Sequence, residues 1–346
     1  MTALLDRLAR PLADLRISVT DRCNLRCPYC MPRAAFGDEH SFMPRSELLS
    51  FEEIARLAAL FSSLGVRKIR LTGGEPLLRR ELDRLVAMLA RLPGIEEVAL
   101  TTNGMLLAGS APALARAGLR RVTVSLDALE QSVFAAMGDT RAPVARVLEG
   151  IEAAGAAGLH PVKLNMVVRR GVNEHCVLAM AEHFRHRPEI VRFIEYMDVG
   201  STNGWSARDV VPAREVMRAI DARWPLEPLP AERLGEVATR YRYRDGAGEV
   251  GFIHSISEPF CGTCTRARLS AGGTLYTCLF ATRGTDLRGL LRGGASDEEI
   301  ARAIASTWRA RSDRYSAERA KPGAAQPGAR RRGSRARRIE MSYIGG

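Results

Sequence analysis

The chain has 346 residues, of which 46% are apolar and 26% charged, and its formal net charge is +12. This composition supports a sizeable core and excludes a small disulfide-stapled domain. Apolar runs are short and interrupted by Arg, so we expect no membrane span, and residues 1–16 resemble neither a secretory signal nor a transit peptide. Seven cysteines in such a chain indicate a reducing compartment, the cytoplasm, with thiols available for metal.

The positive charge is concentrated near the carboxyl end. Residues 309–340 hold eleven Arg or Lys against Asp313, Glu318 and Glu340. A basic tail of this kind can bind nucleic acid, whereas the Gly, Pro and Ala among its residues are typical of a solvated linker. We favour a linker for residues 321–338 and expect no nucleic-acid partner.

Strand and helix patterns alternate over the first two-thirds of the chain. The predicted strands are 15–20, 68–72, 98–102, 122–126, 162–168 and 191–197. The predicted helices are 47–64, 81–92, 111–117, 144–157, 174–185 and one that Pro212 opens, and Ser50 with Glu53 resembles a capping box. Six βα units imply a parallel sheet covered by helices, and six are too few for closure, so we predict an incomplete (βα)6 TIM-like barrel.

The pattern changes after residue 224. Residues 240–244 and 250–255 alternate like strands, residues 267–269 and 274–276 resemble a hairpin, and residues 298–310 a helix. We therefore expect a partial-barrel core over 1–224, a β-rich extension over 225–320, and a basic flexible segment over 321–346 that ends in two glycines.

Six of the seven cysteines form two triads. The first has the spacing CxxxCxxC and the second CxxC-x13-C: Cys23, Cys27, Cys30 and Cys261, Cys264, Cys278. Three thiolates can hold a 4Fe–4S cluster and leave one iron open for a ligand that is not protein. The alternative is structural zinc, for which His40 or His254 would supply a fourth ligand. Cys176 is interpreted as a buried apolar filler.

The first triad and the turn after the second strand resemble the radical S-adenosylmethionine (SAM) enzymes. CxxxCxxC follows the first strand with Tyr29 before its third cysteine, and Gly73-Gly74-Glu75-Pro76 follows the second strand. The resemblance implies that the first cluster binds SAM and cleaves it to a deoxyadenosyl radical. It also implies SAM contacts from Tyr29, Gly74, Ser125 and Met197, although Met197 alone would be read as core.

The second triad, its run CGTCTRARLS and the ending YIGG resemble the GTP 3′,8-cyclase family, over residues 16–346. That family converts GTP to (8S)-3′,8-cyclo-7,8-dihydroguanosine 5′-triphosphate, the first step of molybdenum cofactor biosynthesis. The resemblance implies a second 4Fe–4S cluster that holds GTP. It also implies GTP contacts from Arg16, Arg70, Thr101, Lys163, Arg266 and Arg268, with Lys68, Arg192, Gly345 and Gly346 as further candidates.

The same resemblance implies several partners. They are an electron donor such as flavodoxin or ferredoxin, cyclic pyranopterin monophosphate synthase downstream, and a second copy of the chain in a homodimer. The Arg-rich stretch before the tail departs from the family pattern. Two rival functions remain: another radical SAM enzyme with an auxiliary cluster, such as a peptide maturase, and a zinc-stabilised nucleic-acid-binding protein. The TRAR run and the Gly-Gly ending argue against the maturase. Iron analysis distinguishes the cyclase from the zinc protein, which would contain zinc and no iron.

Overall fold

The structure is a computed structural model that describes residues 3–319 and 338–345. Within these residues, twelve strands form one sheet. The strands are β1 (Asp14–Ser18), β2 (Lys68–Thr72), β3 (Glu97–Thr102), β4 (Arg121–Ser125), β5 (Lys163–Val168), β6 (Ile190–Glu195), β7 (Leu226–Leu229), β8 (Thr239–Tyr243), β9 (Glu249–Ile253), β10 (Arg266–Leu269), β11 (Thr274–Tyr276) and β12 (Thr285–Asp286).

Helices cover the sheet. They are α1 (Arg33–Phe36), α2 (Phe51–Ser63), α3 (Leu82–Ala90), α4 (Leu107–Arg116), α5 (Gln131–Gly138), α6 (Ala145–Ala156), α7 (Val177–Phe184), α8 (Ala213–Arg223), α9 (Leu287–Arg292), α10 (Asp297–Arg309), α11 (Tyr315–Arg319) and α12 (Met341–Ile344). Short 3-10 turns lie at Arg45–Glu47, Pro76–Leu78, Glu174–Cys176, Ala207–Asp209 and Cys261–Thr263.

The predicted partial barrel is confirmed. Strands β1 to β6 are consecutive, parallel neighbours, and each is followed by helix. Alternate strand residues such as Leu15, Ile17, Ile69 and Leu71 are fully buried in the layer between sheet and helices. The residues between them face the barrel interior, because successive side chains on a strand point to opposite faces. The carboxyl ends of six strands therefore meet at one face of the barrel, where enzymes of this architecture place their sites.

Local signals explain most helix boundaries. The Ser50 hydroxyl accepts a hydrogen bond from the amide of Glu53 at 3.1 Å, and the Glu53 carboxylate accepts one from the Ser50 amide at 2.7 Å, so the predicted capping box is present. The helix begins at Phe51 and not at residue 47 because Pro44 and Leu48 bracket a separate 3-10 turn. Helix α5 was not predicted, since it has no capping residue and its apolar side chains do not follow one face.

The β-rich extension does not fold apart from the barrel sheet. Strand β10 pairs in parallel with β1, and β9 pairs in parallel with β6, so the extension continues both edges of the barrel. The predicted hairpin is present as the antiparallel pair β10 and β11. The second cysteine triad is consequently held next to the first strand of the barrel.

Across the described ranges, none of the helices is long and apolar enough to cross a bilayer. All seven cysteines are free thiols.

Candidate functional site

One cavity of about 400 Å³ at the carboxyl face of the barrel is lined by both cysteine triads. The same cavity is lined by every predicted SAM and GTP contact outside the two terminal glycines: Tyr29, Gly74, Ser125, Met197, Arg16, Arg70, Thr101, Lys163, Arg266, Arg268, Lys68 and Arg192. The fold therefore brings together residues from β1 to β6, the loop after β6, and β10.

The first triad occupies the loop that leaves β1. The amides of Cys30 and Met31 both donate to the carbonyl oxygen of Cys27, at 3.0 and 2.9 Å, and so close a turn. Tyr29 donates a hydrogen bond from its hydroxyl to Asp127 Oδ2 at 2.6 Å, just beyond β4. Burial raises the pKa of Asp127 to about 6. The loop is thereby fixed to the far side of the barrel mouth with its thiols lining the cavity.

The Gly-Gly-Glu-Pro turn after β2 supports this loop. A methyl group on Gly74 would overlap the carbonyl oxygen of Arg22, so the neighbouring cysteine loop requires glycine here. Glu75 is fully buried and accepts hydrogen bonds from the Thr102 hydroxyl and the Asn103 amide, both at 2.7 Å. Burial raises the pKa of Glu75 to about 7. The motif thus ties three loops of the barrel mouth together, a role that its sequence alone did not indicate.

The second triad lies at the edge formed by β10 and β11. Cys264 Sγ accepts hydrogen bonds from Arg266 Nη2 at 3.2 Å and from Arg311 Nη2 at 3.1 Å. Burial opposes ionisation of this thiol, but the two guanidinium groups outweigh it and lower the pKa of Cys264 to about 7. The amide of Phe280 donates to Cys278 Sγ at 3.5 Å. The two arginines thus favour the thiolate of Cys264, the form that binds metal, whereas burial raises the pKa of Cys278 to about 11.

The spacing of the sulfur atoms fits a cluster better than a single ion. Thiolates on one tetrahedral zinc lie about 3.8 Å apart, given Zn–S bonds of about 2.3 Å. Among the described residues, the one trio of His, Cys, Asp or Glu whose ligand atoms all lie within 4.8 Å of one another is Glu130, His175 and Cys176. Neither triad is that compact, which suits thiolates arranged around a larger iron–sulfur core.

The two histidines of the zinc alternative are used elsewhere. His40 lies between the rings of Phe36 and Phe42, each 4.7 Å away. His254 Nε2 is 3.1 Å from the Thr239 hydroxyl, and His254 is not part of a compact ligand trio in the described structure. The structure therefore gives no support to zinc at either triad.

Arginines line up across neighbouring strands of the barrel interior. Arg268 on β10 is the register partner of Arg16 on β1, and Arg16 is the register partner of Arg70 on β2. Arg266 precedes Arg268 by two residues and so faces the same side of β10. Three guanidinium groups in one row, with a fourth beside them, make this wall of the cavity strongly positive.

Two of the predicted cations lack a partner among the described residues. The side chains of Arg16 and Lys163 make no hydrogen bond or ion pair with the residues that the structure describes. Burial, together with the charges of Arg268 and Arg70, lowers the pKa of Arg16. Burial and the neighbouring Arg192 lower the pKa of Lys163 to about 8. Buried cations that repel one another in this way are suited to bind a polyanionic ligand.

The two weaker candidates are partly paired. Lys68 lies 3.0 Å from Glu97, yet burial and the charge of Arg70 lower its pKa to about 7. Arg192 donates to the Thr123 hydroxyl at 3.4 Å, and burial with nearby arginines lowers its pKa to about 9. Both add to the excess of positive charge at the base of the cavity.

Asn165 is a cavity residue that the sequence interpretation missed. It lies on β5 in register with Ser125 and Arg192, and lines the cavity. Its Oδ1 atom is buried without a hydrogen-bond partner among the described residues. An unsatisfied buried acceptor costs about 1–3 kcal/mol, so a ligand donor is expected here. Its position two residues after Lys163, on the same face of β5, was the available signal.

The carboxyl-terminal tail returns to the cavity. Arg268 donates a hydrogen bond to the carbonyl oxygen of Gly345, Ile344 is fully buried, and Met341 lines the cavity. Gly345 has φ of 75°. The predicted linker lies outside the described residues over 321–337, as does Gly346.

A buried carboxylate anchors the tail. Asp198, which follows Met197, is paired with Arg319 and with Arg338, and the Arg338 nitrogen lies 2.8 Å from the carboxylate. Glu340 accepts hydrogen bonds from the Ser201 amide and the Thr202 hydroxyl at 2.9 and 3.1 Å. Both ends of the undescribed stretch therefore meet at one carboxylate beside the cavity.

Two protein-family models match the chain. The model of the Radical SAM superfamily matches residues 17–184, and the model Molybdenum Cofactor Synthesis C matches residues 190–317. The first span contains the first triad and the second span contains the second triad.

Relatives match over the full length. The chain is 57% identical to the GTP 3′,8-cyclase of Acidothermus cellulolyticus, over 99% of this chain and 98% of the relative. It is 51% identical to that of Xanthomonas axonopodis pv. citri over 100% of both, and 44% identical to that of Staphylococcus haemolyticus over 99% and 98%. The solved structure of Streptococcus suis SuiB bound to S-adenosylmethionine is similar in fold alone, with a TM-score of 0.56 at 14% identity over 78% of this chain and 60% of that chain.

Proposed function

The chain belongs to the GTP 3′,8-cyclase family of the radical SAM superfamily, and from this premise we propose that it converts GTP to (8S)-3′,8-cyclo-7,8-dihydroguanosine 5′-triphosphate. This reaction is the first step of molybdenum cofactor biosynthesis. Full-length identity of 44–57% to three cyclases, against 14% to SuiB, favours the cyclase over the peptide-maturase alternative.

One observation carries the proposal: two three-cysteine sites and a set of uncompensated cations line the same cavity. A triphosphate carries several negative charges and needs fixed cations to hold it. The row of Arg268, Arg16 and Arg70, together with Lys163, supplies such cations. The cavity thus has a place for a nucleotide between two metal-binding loops.

The first triad holds a 4Fe–4S cluster, as its superfamily implies. With SAM bound, a reduced cluster held there would supply the radical chemistry that removes a hydrogen atom from the substrate ribose. Tyr29, Gly74, Ser125 and Met197 are the SAM contacts in this proposal, and they line the cavity at or beyond the ends of four different strands. Holding both partners in one enclosed cavity keeps water and other hydrogen donors from the radical.

The second triad is proposed to hold another 4Fe–4S cluster, whose three cysteine ligands would leave one iron open for the substrate. Its sulfur spacing and the thiolate-favouring arginines at Cys264 support this assignment. Arg266 and Arg268 leave the same loop and reach into the same cavity. Their guanidinium groups orient the nucleotide, while Thr101 provides a hydroxyl beside Arg70, from which it accepts a hydrogen bond at 3.1 Å.

Further partners follow from the family. We propose a flavodoxin or ferredoxin as electron donor, cyclic pyranopterin monophosphate synthase as the enzyme that takes the product, a homodimer, and the reducing cytoplasm as location. The regions 1–224, 225–320 and 321–346 are proposed as core, auxiliary-cluster region and basic segment.

Anaerobic turnover with GTP deuterated at C3′ tests the function. The expected result is the cyclic nucleotide by mass spectrometry, with one deuterium transferred to 5′-deoxyadenosine. Unlabelled deoxyadenosine without cyclic nucleotide would contradict the proposal. Cys278→Ala is the matched control, because it should spare SAM cleavage and abolish the product.

A further inference from the structure

Beneath the second cysteine triad lies a buried charge cluster that the proposed function leaves unexplained. Arg10 and Arg311 are only 2% and 4% exposed, and the carboxylate of Asp6 lies between them. Asp6 Oδ2 is 2.7 Å from Arg10 Nε and 3.3 Å from Arg311 Nη1. The ring of Trp308 covers the Arg311 guanidinium, with 4.4 Å between its Cζ atom and the ring centroid. This charge cluster joins the residues before β1 to the end of α10 and the segment that follows it.

Each arginine reaches one cysteine of the triad. Arg10 Nη1 donates to the carbonyl oxygen of Cys261 at 2.8 Å. Arg311 Nη1 donates to the carbonyl oxygen of Cys264 at 2.7 Å, and its Nη2 donates to the sulfur of the same residue at 3.1 Å. With Arg266, the Cys264 sulfur therefore receives two guanidinium groups.

The positive side chains of this charge cluster outnumber its carboxylates. Three cations, Arg10, Arg311 and Arg266, face two carboxylates, Asp6 and Asp313, the latter 3.7 Å from Arg311 Nε. A buried net charge is costly unless an opposite charge compensates it. With a cluster bound, the thiolates of the triad would supply compensating negative charge.

The first triad is surrounded differently. Cys23 Sγ accepts from the Leu25 amide at 3.4 Å and lies 3.9 Å from Asn103 Nδ2. Both donors are neutral, and among the described residues no guanidinium donates to a sulfur of that triad. The two sites thus differ in the charge placed directly on their sulfurs.

We propose that Arg311 is a positioning residue that raises the reduction potential of the second cluster above that of the first, with Asp6 holding it in place. A cation hydrogen-bonded to a ligand sulfur stabilises the extra electron of the reduced cluster. The inference rests on the proposed second cluster. The two iron–sulfur clusters would then differ in reduction potential. The first stays at the low potential that SAM cleavage needs, and the second remains a substrate-binding site.

A redox titration of the second cluster alone tests this. The full-length chain with Cys23, Cys27 and Cys30 replaced by Ala is reconstituted, analysed for iron, and titrated anaerobically with dithionite while the reduced cluster is followed by electron paramagnetic resonance. In this background Arg311→Gln should shift the ratio of oxidised to reduced cluster at least tenfold at fixed potential, about 59 mV toward lower potential for a one-electron couple. Arg311→Lys keeps the charge and should shift it less.

The control is Arg309→Gln, two residues earlier at the end of α10, which removes an exposed cation and should leave the midpoint unchanged. If Arg311→Gln holds iron and its midpoint potential is unchanged, the inference about Arg311 is overturned while the proposed second cluster stands. Should that variant fail to hold iron, the neutral Arg311→Met takes its place, and an iron-loaded variant with the midpoint of the parent overturns the inference. A parent without iron overturns the second cluster itself, and so the proposed function of that triad.

Discussion

Gly345 lies so close to Thr72 that a methyl group on its α-carbon would overlap the threonine hydroxyl. Thr72 is the last residue of β2, directly before the glycine turn that supports the first cysteine loop. Gly345 is therefore held between the end of β2 and Arg268 on β10, from which its carbonyl oxygen accepts a hydrogen bond.

Gly345→Ala should displace the tail from the cavity. Both the overlap and the φ of 75° oppose a side chain, so we expect GTP turnover to fall at least tenfold, about 1.4 kcal/mol, with iron content retained. Steady-state kinetics and iron analysis measure this. Gly171→Ala is the control, because its φ of 73° is similar but no atom lies within 4 Å of the new methyl group. Equal turnover in both variants would mean that the tail has no part in the reaction.

GTP affinity should depend on the protonation of Lys163, whose pKa is lowered to about 8 by burial and Arg192. The free protein loses this proton as pH rises through 8, whereas a bound triphosphate keeps the ammonium charged. The contribution of Lys163 is thus complete below pH 8 and falls up to tenfold per pH unit above it. In Lys163→Arg the side chain stays charged over this pH range. The fall of GTP affinity with pH should therefore be smaller by the contribution of one titrating proton.

Calorimetric titrations at pH 7.5 and 9, at constant ionic strength, measure the difference. Titration of the guanine base cancels between the two proteins. Parallel declines in wild type and Lys163→Arg would show that this lysine does not bind the phosphates.

Arg16→Gln should stabilise the free protein while it weakens GTP binding. The Arg16 guanidinium is buried among Arg268, Arg70 and Arg266, so its removal relieves repulsion worth about 1 kcal/mol in the free energy of unfolding. The loss of a charged phosphate contact should lower GTP affinity about tenfold or more. Denaturant unfolding and equilibrium binding provide the two numbers.

The surface pair Arg56 and Asp297, 2.7 Å apart, offers the control. Arg56→Gln should change stability by less than about 1 kcal/mol and leave GTP binding unchanged. A destabilised Arg16→Gln with normal GTP affinity would assign Arg16 to structure.

Iron content should follow the two triads and not the seventh cysteine. Two cubanes predict about eight irons per chain. Cys27→Ala should lose SAM cleavage, Cys278→Ala should keep SAM cleavage and lose GTP turnover, and Cys176→Ala should retain all iron because that thiol is buried in the core. Iron analysis with deoxyadenosine release checks all three. Loss of iron in Cys176→Ala would instead make Glu130, His175 and Cys176 a metal site in their own right.

Local chemistry accounts for what the sequence predicted. The barrel strands follow from β-branched runs, α2 from the capping box at Ser50, and the metal-binding loops from cysteine spacing. Helix α5 and the position of α12 were out of reach, because neither carries a strong periodic or capping signal. The Gly74 requirement was also hidden, since the Arg22 carbonyl that excludes a side chain lies on another loop.

The sequence by itself determined which residues could bind clusters and phosphates, since donor type and strand position are local properties. Only the tertiary structure decided that these residues share one cavity. The pairing of β10 with β1 sets Arg268 beside Arg16, and it joins residues about 250 positions apart. Strand edges have no intrinsic partner, and buried cations such as Arg10 and Arg311 acquire their neighbours only when distant segments close the sheet and its helices around them.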